Sequence, residues 1–193
     1  MSTYIDDRPE GSYRFFTTIC TAALSAVRVD AAGLNLTSLR THLPITVSDG
    51  LPTDELQQRL NLIEDGPSHH AAAHDCLILI ADLSDPEAIT RFPVYASTAL
   101  AACIRSVNVI PLGTAATRPG TLDLYRYWPQ SLSEDDLTAA LTFACLITDL
   151  LLAGPTQHGG KRHWPVVIPG PQHRMPVIHV GSGRGSGGGS LEP

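Results

Sequence analysis

The sequence has few of the features that mark a catalytic centre. Its four cysteines form no CxxC pair, and residues 106–152, its most regular stretch, contain no nucleophile motif, metal-binding box or phosphate-binding loop. Three of the cysteines lie in strongly apolar runs, so we interpret them as free thiols buried in a reducing cytosol. The sequence therefore predicts no catalytic residue and no disulfide framework.

Positive charge is also scarce. The chain carries 13 basic and 19 acidic residues, and residues 1–155 alone carry 9 basic and 18 acidic residues. Protein contacts to phosphate groups need lysine and arginine, so this balance disfavours direct binding to nucleic acid.

Long hydrophobic runs are absent. The longest apolar stretch, Leu137–Leu152, is interrupted by three threonines and by Asp149, so it is too short and too polar to span a bilayer. The polar segment Met1–Glu10 does not resemble a signal peptide. We expect a soluble cytoplasmic protein with no membrane partner.

What the sequence does contain is a regular series of helices and strands. Residues 106–152 predict a strand, a linker with the turn signal Pro119-Gly120, a second strand, and a helix with Ser133 as its N-cap. On the second strand, Leu122, Leu124 and Arg126 alternate with Asp123, Tyr125 and Tyr127. The alternation predicts two faces, and we interpret Arg126 with Asp123 as a cross-strand ion pair.

Upstream of this stretch, apolar spacing and turn residues predict a first helix at 9–28 and an order α-β-β-α-α-β-α-β-β-α. The other predicted elements are strands Leu34–Thr37 and Thr41–Val47 joined near Ser38–Arg40, a helix capped by Thr53, helix Ser68–His74, strand Cys76–Leu83 and helix Phe92–Ile104. This mixed order, with hairpins at both ends, predicts an α+β fold.

The character of the chain changes at Gly154. Residues 154–180 are rich in proline, glycine and histidine. Val166–Ile168 and Met175–Val180 are possible edge strands, but the prolines favour a loosely ordered tail. Residues 181–193 read as a flexible linker or cloning scar. We therefore place the folded domain at residues 1–153 and expect the tail to be dispensable for stability.

Several short motifs together carry a resemblance to a known family. They are AAGLNL at 31–36, VSDG at 47–50, EDGPS at 64–68, ADLSD at 81–85, RFPVYASTAL at 91–100, SVNVIPLG at 106–113, GTLDLYRYWPQSLSEDDLTAAL at 120–141 and DLLL at 149–152. In these motifs the chain resembles the GAF domains of actinobacterial regulatory proteins. The family's usual Gly-Glu-Gly-Pro-Cys motif is replaced here by 64–68, so Ser68 stands where relatives have cysteine.

The resemblance implies a GAF-like antiparallel sheet with helices on both faces. It also implies a ligand pocket on one face, roofed by the segments around 53–75 and 84–104. Relatives often continue into an RNA-binding ANTAR domain and act in transcription regulation, but nothing after Gly154 resembles that domain. Terminal helices of such domains often pair between subunits.

We select Ser68, Asp82, Phe92 and Tyr95 as candidate ligand-binding residues. Phe92 and Tyr95 begin the helix that would roof the pocket, although aromatic residues there are also ordinary core residues. Asp82 ends a predicted buried strand, where it would face a ligand or cap the following segment. A Ser68–His70–Asp82 triad is disfavoured because no GxSxG elbow holds the serine.

His69, His70 and His74 form a histidine cluster, and the spacing of His70 and His74 places them on one helix face. That spacing suits a metal ion, but the sequence fixes no third ligand, so we predict a surface histidine patch and no metal site.

Three functions follow from these observations. The leading hypothesis is a non-catalytic sensory domain that binds a small molecule or a protein partner and signals through its terminal helices; the ligand or cofactor is unknown. The alternatives are a ligand-free dimerisation scaffold and, less favoured, an enzyme such as a methionine sulfoxide reductase-like GAF protein. Because helices 9–28 and 134–152 each carry two apolar stripes, we predict a homodimer through these helices, or else that they cover each other within one chain.

Overall fold

The computed structural model describes residues 10–37, 44–51, 54–114, 117–153, 156–158, 161–163 and 175–181. The helices within these ranges are α1 (Glu10–Val27), α2 (Asp54–Asn61), α3 (Pro67–His74), α4 (Pro86–Arg91), α5 (Pro93–Ala101) and α6 (Glu134–Ala153). The strands are β1 (Ala31–Thr37), β2 (Pro44–Asp49), β3 (Leu77–Ile80), β4 (Ser106–Thr114), β5 (Thr117–Arg126), β6 (Thr156–His158), β7 (Lys161–His163) and β8 (Val177–Val180).

Six of the strands form the central sheet, in the order β2-β1-β5-β4-β3-β8. Neighbouring strands are antiparallel except β3 and β8, which run parallel. Strands β6 and β7 form a separate two-stranded ribbon. The predicted α+β, GAF-like antiparallel sheet with helices on both faces is confirmed.

One face of the sheet packs against α1 and α6, and we call it the terminal-helix face. Its core is apolar and includes Leu34, Leu122 and Leu124 from the sheet, with Phe16 from α1 and Ile147 from α6. Burial of apolar surface of this kind is the main stabilising contribution to the fold.

The opposite face packs against α2, α3, α4 and α5, and we call it the central-helix face. Its apolar part joins Ile78 and Ile80 of β3 and Val107 of β4 to Phe92 and Ala96 beside and within α5. The predicted roof around 53–75 and 84–104 therefore lies over this face, as the resemblance implied.

The predicted elements agree with the structure in order and, for most, within a few residues. The N-cap prediction is confirmed, because the Ser133 hydroxyl accepts a hydrogen bond from the backbone N–H of Asp136 at 3.1 Å. The linker expected at Thr114–Gly120 is shorter than predicted, since β5 begins at Thr117 and pairs with β4 from its first residue. The predicted turn at Ser38–Arg40 and the Thr53 cap lie outside the described residues.

The prediction of a loosely ordered tail is wrong for Val177–Val180. These residues form β8, which pairs with β3 in register from Leu77 opposite Val177 to Ile80 opposite Val180. Val180 is buried in the core of the central-helix face. The sequence offered an edge strand at Met175–Val180 as the alternative, and the prolines weighed against it; β8 begins directly after Pro176, so the proline does not interrupt the strand. The segment Val166–Ile168 and nearly all of 181–193 lie outside the described residues.

A buried polar cluster on the central-helix face

Asp123 lies near the middle of β5, at the centre of the sheet, and is 1% exposed. The alternation of β5 points its side chain to the central-helix face, while Leu122 and Leu124 point to the opposite face. Its cross-strand neighbours are Gly33 on β1 and Val109 on β4. A buried carboxylate is costly unless hydrogen bonds compensate for its lost hydration, so its partners are informative.

One carboxylate oxygen of Asp123, Oδ2, lies within hydrogen-bond distance of four other side chains. Asn35 Nδ2 donates to Oδ2 at 2.6 Å, and the Ser68 hydroxyl donates to it at 2.7 Å. Longer contacts reach the same oxygen from Gln57 Nε2 at 3.3 Å and from the Tyr125 hydroxyl at 3.2 Å. Four donors from four different elements or segments thus meet at a single oxygen atom.

Gln57 connects the cluster to α2. Its side chain is fully buried; Nε2 also donates to Asn35 Oδ1 at 3.2 Å, and Oε1 accepts from the Tyr125 hydroxyl at 2.8 Å. The carboxamide lies directly over Gly33, where an added Cβ would come within 2.4 Å of the Gln57 Cδ atom. Glycine at this strand position therefore provides the space that the Gln57 amide occupies.

Two buried polar atoms of the cluster, Asp123 Oδ1 and the Tyr95 hydroxyl, have no hydrogen-bond partner of good distance and angle among the described residues. The Tyr95 hydroxyl does lie close enough to the Tyr125 hydroxyl for each to affect the pKa of the other. Buried polar groups in folded proteins are almost always paired, because an unpaired one costs about 1–3 kcal/mol. Oδ2 of Asp123 therefore accepts several hydrogen bonds, whereas Oδ1 accepts none from the described residues.

Burial shifts the acid–base properties of the cluster. It raises the pKa of Asp123 above its usual value, and hydrogen bonds from Ser68, Thr121, Tyr125 and Gln57 oppose that rise. Burial, together with the negative charge of Asp123, also raises the pKa of Tyr95 and of Tyr125. Both phenols therefore stay protonated and keep a hydroxyl hydrogen to donate.

Two of the four candidate ligand-binding residues meet at this cluster. Ser68, in the first turn of α3, contacts Asp123 directly, and Tyr95 on α5 supplies the unpartnered hydroxyl. Phe92 is buried in the same apolar core, where its ring lies 6.3 Å from that of His70. Its position agrees with the core alternative that the sequence left open.

Asp82 lies away from the cluster. It follows β3 at the surface, where Oδ1 accepts hydrogen bonds from the backbone N–H and the hydroxyl of Ser84 at 2.9 and 2.8 Å. It also pairs with Arg105 at 3.1 Å, and the bonds from Ser84 and Arg105 lower its pKa in spite of partial burial. Asp82 thus stabilises the turn after β3, as in the capping alternative, while Asp85 is the N-cap of α4; the ligand contact expected at Asp82 stays a prediction.

Sequence reasoning missed Asp123 as a site residue because it paired Asp123 with Arg126. Residues three apart on a strand point to opposite faces, and Arg126 instead binds Asp136 of α6 at 3.3 Å on the terminal-helix face. The predicted Asp123–Arg126 ion pair is therefore wrong. The signal was available in the alternation, which put an aspartate on the face opposite Leu122 and Leu124.

Asn35 and Gln57 were missed for a different reason. Each is an ordinary polar residue in a strand or short helix, and nothing in their local sequence shows that the chain brings them within 3.5 Å of the same carboxylate. The pairing of β1 with β5 brings Asn35 to Asp123, and the packing of α2 over Gly33 brings Gln57 there.

The histidine cluster lies on α3, on the outer side of the central-helix face. The rings of His70 and His74 are 4.4 Å apart, and His70 Nε2 lies 3.3 Å from the Arg91 guanidinium. Burial and these two neighbours lower the pKa of His70. No group of three or more histidine, cysteine or acidic side chains suited to a metal ion occurs in the part of the chain that the structure describes.

The four cysteines are dispersed. Cys20 on α1 and Cys76 before β3 are buried, Cys103 is exposed, and Cys145 on α6 is half-buried. Burial raises the pKa of Cys20 to about 12, and it also raises the pKa of Cys76 and Cys145. These three thiols are therefore poor nucleophiles at neutral pH.

The terminal-helix face carries a second charged network, centred on Asp136. Its carboxylate binds Arg126 of β5 at 3.3 Å and Arg28, which follows α1, at 2.9 Å. Arg126 also donates to the backbone carbonyl of Arg28 at 3.4 Å. This network joins the end of β5 to the end of α1 and the start of α6. The hydrogen bonds from Ser133 and Arg28 and the two positive charges lower the pKa of Asp136, against the effect of burial.

A cleft of about 300 Å³ lies beside this network, between β3, β8 and the start of α6. It is lined by Leu79, Asn108, Leu137 and His179, among others, and lies on the face opposite Asp123.

A helix must be both long and apolar to cross a bilayer. Within the described ranges, no helix combines the two properties needed to span a membrane.

Comparison with known proteins identifies the architecture. No protein-family model and no curated protein sequence matches the chain. Solved structures do match: the GAF domain of an Acinetobacter phosphoenolpyruvate-protein phosphotransferase has a TM-score of 0.55 at 14% identity, covering 73% of this chain and 82% of that one. The cyanobacteriochrome TePixJ GAF domain has a TM-score of 0.52 at 14% identity, covering 79% of this chain and 96% of that one.

A third similar structure is the type II free methionine-R-sulfoxide reductase of Thermoplasma acidophilum. Its TM-score is 0.53 at 17% identity, and the match covers 75% of this chain and 94% of that one. At these identities the likeness concerns the fold and not the activity. The chain has the fold of GAF domains.

Proposed function

We propose that this protein is a non-catalytic sensory domain that binds a small molecule at Asp123 and signals through α1 and α6. The observation that carries the proposal is the buried carboxylate of Asp123, with one oxygen that has no donor within the described residues. A ligand with a hydrogen-bond donor would supply the missing partner. The Tyr95 hydroxyl, equally buried and unpartnered in the described part, lies on the same roofed face.

Strand β5 offers a physical route from this site to the terminal helices. Asp123 points to the site, and Arg126, three residues on, holds Asp136 of α6 and the carbonyl of Arg28 after α1. A ligand that shifts β5 would therefore alter contacts at the ends of both helices. Signalling would follow if the ligand binds one arrangement of these contacts better than another.

Native mass spectrometry of the purified protein tests this proposal. We expect a bound small molecule that is retained by the unmutated chain and lost from Asp123→Asn, a variant that keeps the shape of the side chain. Glu134→Gln, which neutralises an exposed carboxylate on α6, is the matched control and should retain the ligand. An unmutated chain that carries no ligand would favour the scaffold function.

The ligand-free scaffold is the second candidate because the chain's own Gln57 already fills much of the cluster. An enzymatic function has less support. Reductase chemistry with thiols needs reactive cysteines close together, whereas here they lie on α1, before β3, after α5 and on α6, and Ser68 occupies the motif position.

We also propose a homodimer through helices 9–28 and 134–152. On α6, Leu146 and Leu150 are only partly buried in the single chain, and a second copy would cover what remains exposed. The competing account is that α1 and α6 cover each other within one chain, and the two helices do contact each other.

Sedimentation velocity at tens of micromolar separates these accounts. We expect a dimer for the unmutated chain and a monomer for the double variant Leu146→Glu with Leu150→Glu. Thr138→Glu, at an exposed position on the same helix, should remain dimeric. A monomeric unmutated chain would contradict the dimer.

A further inference from the structure

The position of Gln57 suggests what kind of molecule the Asp123 site accepts. Its carboxamide occupies the space over Gly33, where the side chain of any other residue would lie. Gln57 belongs to α2, a helix of 8 residues held to the core by Leu56 and Leu60. A short helix thus inserts a planar, nitrogen-bearing group into a space made by the sheet.

The sheet surrounds this planar group with matching partners. The two N–H groups of Gln57 Nε2 point to Asn35 Oδ1 at 3.2 Å and to Asp123 Oδ2 at 3.3 Å. Both distances are at or beyond the usual limit for an N–H···O bond, whereas Asn35 reaches the same carboxylate at 2.6 Å. The two bonds that the Gln57 amide donates are therefore longer than those that Asn35 and Ser68 donate to Asp123, although Gln57 Oε1 accepts a shorter bond of 2.8 Å from the Tyr125 hydroxyl.

A neutral amide also leaves the charge of the site uncompensated. No lysine or arginine among the described residues makes an ion pair with Asp123, and its Oδ1 atom has no donor in that part of the chain. A buried carboxylate gains most from a planar cation that donates to both of its oxygens at once. An amidinium or guanidinium group has this geometry and this charge.

We infer that Gln57 is an internal occupant of the Asp123 site, and that the site takes a small ligand with an amidinium or guanidinium group that displaces the Gln57 side chain. This inference rests on the proposed ligand-binding function. The cation donates to Oδ1 and Oδ2 of Asp123, and the Tyr95 hydroxyl accepts a further N–H. The Tyr125 hydroxyl, released from Gln57 Oε1, keeps its contact with Asp123 Oδ2.

Displacement would also make α2 report on ligand binding. Gln57 is the polar residue that joins this helix to Asp123, Asn35 and Tyr125. When its side chain leaves the cluster, α2 loses those hydrogen bonds while Leu56 and Leu60 remain in the core. Ligand binding would thus replace the contact that Gln57 makes between α2 and the sheet.

The direct test removes the internal occupant and supplies a small probe in its place. In Gln57→Ala, acetamidine should raise the melting temperature by about 3 °C or more at roughly ten times its dissociation constant. Neutral acetamide should give a smaller shift, and acetate should give none. Gln58→Ala, an exposed neighbour on the same helix, is the matched control and should show no shift beyond that of the unmutated chain.

Adding Asp123→Asn to Gln57→Ala should abolish the response to acetamidine. The inference is overturned if acetamidine stabilises Gln57→Ala no more than Gln58→Ala, or if acetate is as effective as acetamidine.

A second measurement uses the unmutated chain and applies even if Gln57→Ala does not fold. In a ¹⁵N-edited NMR titration with acetamidine, the side-chain amide resonance of Gln57 should move towards the position typical of a solvent-exposed glutamine, while that of Gln58 stays in place. A Gln57 resonance that is unmoved at saturating probe would overturn the inference.

The two proposals fail in different ways. A natural ligand found by mass spectrometry that has no planar nitrogen cation would contradict this inference and leave the sensory function standing. A response of Gln57→Ala to acetamidine, with no ligand carried by the native chain, would support the chemistry of the site and count against the sensory function.

Discussion

On β5, Leu122 and Leu124 point to α1 and α6, whereas Asp123 and Tyr125 point to α2, α3 and α5. The first pair enters a continuous apolar core, and the second pair enters a cluster of hydrogen bonds with two unpartnered atoms within the described residues. Adjacent residues of β5 therefore lie in two different environments, one apolar and one polar. Beside Leu122 and Leu124 the terminal-helix face is apolar, whereas the central-helix face surrounds Asp123 with polar side chains. In the part of the chain that the structure describes, the terminal-helix face has an unpartnered buried atom of its own, Arg126 Nε, in the network around Asp136.

The two faces also differ in how they treat a buried aspartate. The pKa of Asp123 is raised, chiefly because burial removes water and no cation among the described residues replaces it. The pKa of Asp136, on the other face, is lowered by its hydrogen bonds and by the charges of Arg28 and Arg126. One carboxylate is fully paired for structural purposes, and the other is held in an environment that disfavours its charge.

The largest expected effect is on the terminal-helix face. Leu124→Ala should lower the free energy of unfolding by about 2–5 kcal/mol, because it leaves a cavity in a closely packed core. Leu62→Ala, at a residue 78% exposed, should change it by about 0.5 kcal/mol or less. Urea denaturation measures both, and equal effects would show that the core described for this face does not carry the stability of the domain.

An intermediate effect is expected at the sheet edge formed by the C-terminal strand. Val180→Ala should cost roughly 1.5 kcal/mol, at about 0.8 kcal/mol for each buried carbon lost, because Val180 packs into the central-helix core. Val177→Ala, on the same strand but 44% exposed, should cost clearly less. Thermal unfolding compares them, and a negligible effect at Val180 would restore the view that the tail is dispensable.

A smaller effect, distinguished by its pH dependence, is expected at Asp123. Its pKa in the folded state is raised, so the folded protein loses stability as the pH rises from the unfolded-state value of 3.8 through the folded-state value. Asp123→Asn does not ionise and avoids that loss. Relative to the unmutated chain, the variant should therefore become more stable as the pH rises from about 4 to 7.

Asp136→Asn should change the pH dependence of stability in the opposite direction. The lowered pKa of Asp136 stabilises the folded state above pH 3.8, and that contribution is lost as the pH falls through the folded-state value. This variant should be most destabilised, relative to the unmutated chain, near neutral pH. Denaturant titrations at several pH values measure both variants, and parallel pH profiles would contradict the contrast between the two faces.

The smallest effect is expected at the outer surface of α3. His70→Ala with His74→Ala should change the free energy of unfolding by about 0.5 kcal/mol or less, because His74 is exposed and His70 only half-buried. Metal analysis of the parent and the double variant should give the same result. Stoichiometric zinc or iron in the parent, lost in the variant, would make the histidine cluster a metal site.

Sequence alone determined the order of the elements, the two faces of β5 and the cap of α6. These features depend on residues close together in the chain, such as the alternation from Leu122 to Tyr127 and the Ser133 hydroxyl three residues before the Asp136 N–H. Periodicity and capping are local, so a single sequence reveals them. The selection of Ser68 and Tyr95 came from the family resemblance, and the structure brings both to the cluster.

Which polar residues meet depends on long-range packing. Asn35, Gln57 and Ser68 lie 88, 66 and 55 residues from Asp123, and each hydrogen-bonds to it because strand pairing and helix packing bring them together. The same holds for Val177–Val180, whose place beside β3 depends on a partner about 100 residues away. Contacts at such separations leave no local pattern in one sequence, and for that reason the site and the pairing of the sixth strand with β3 emerged only from the folded chain.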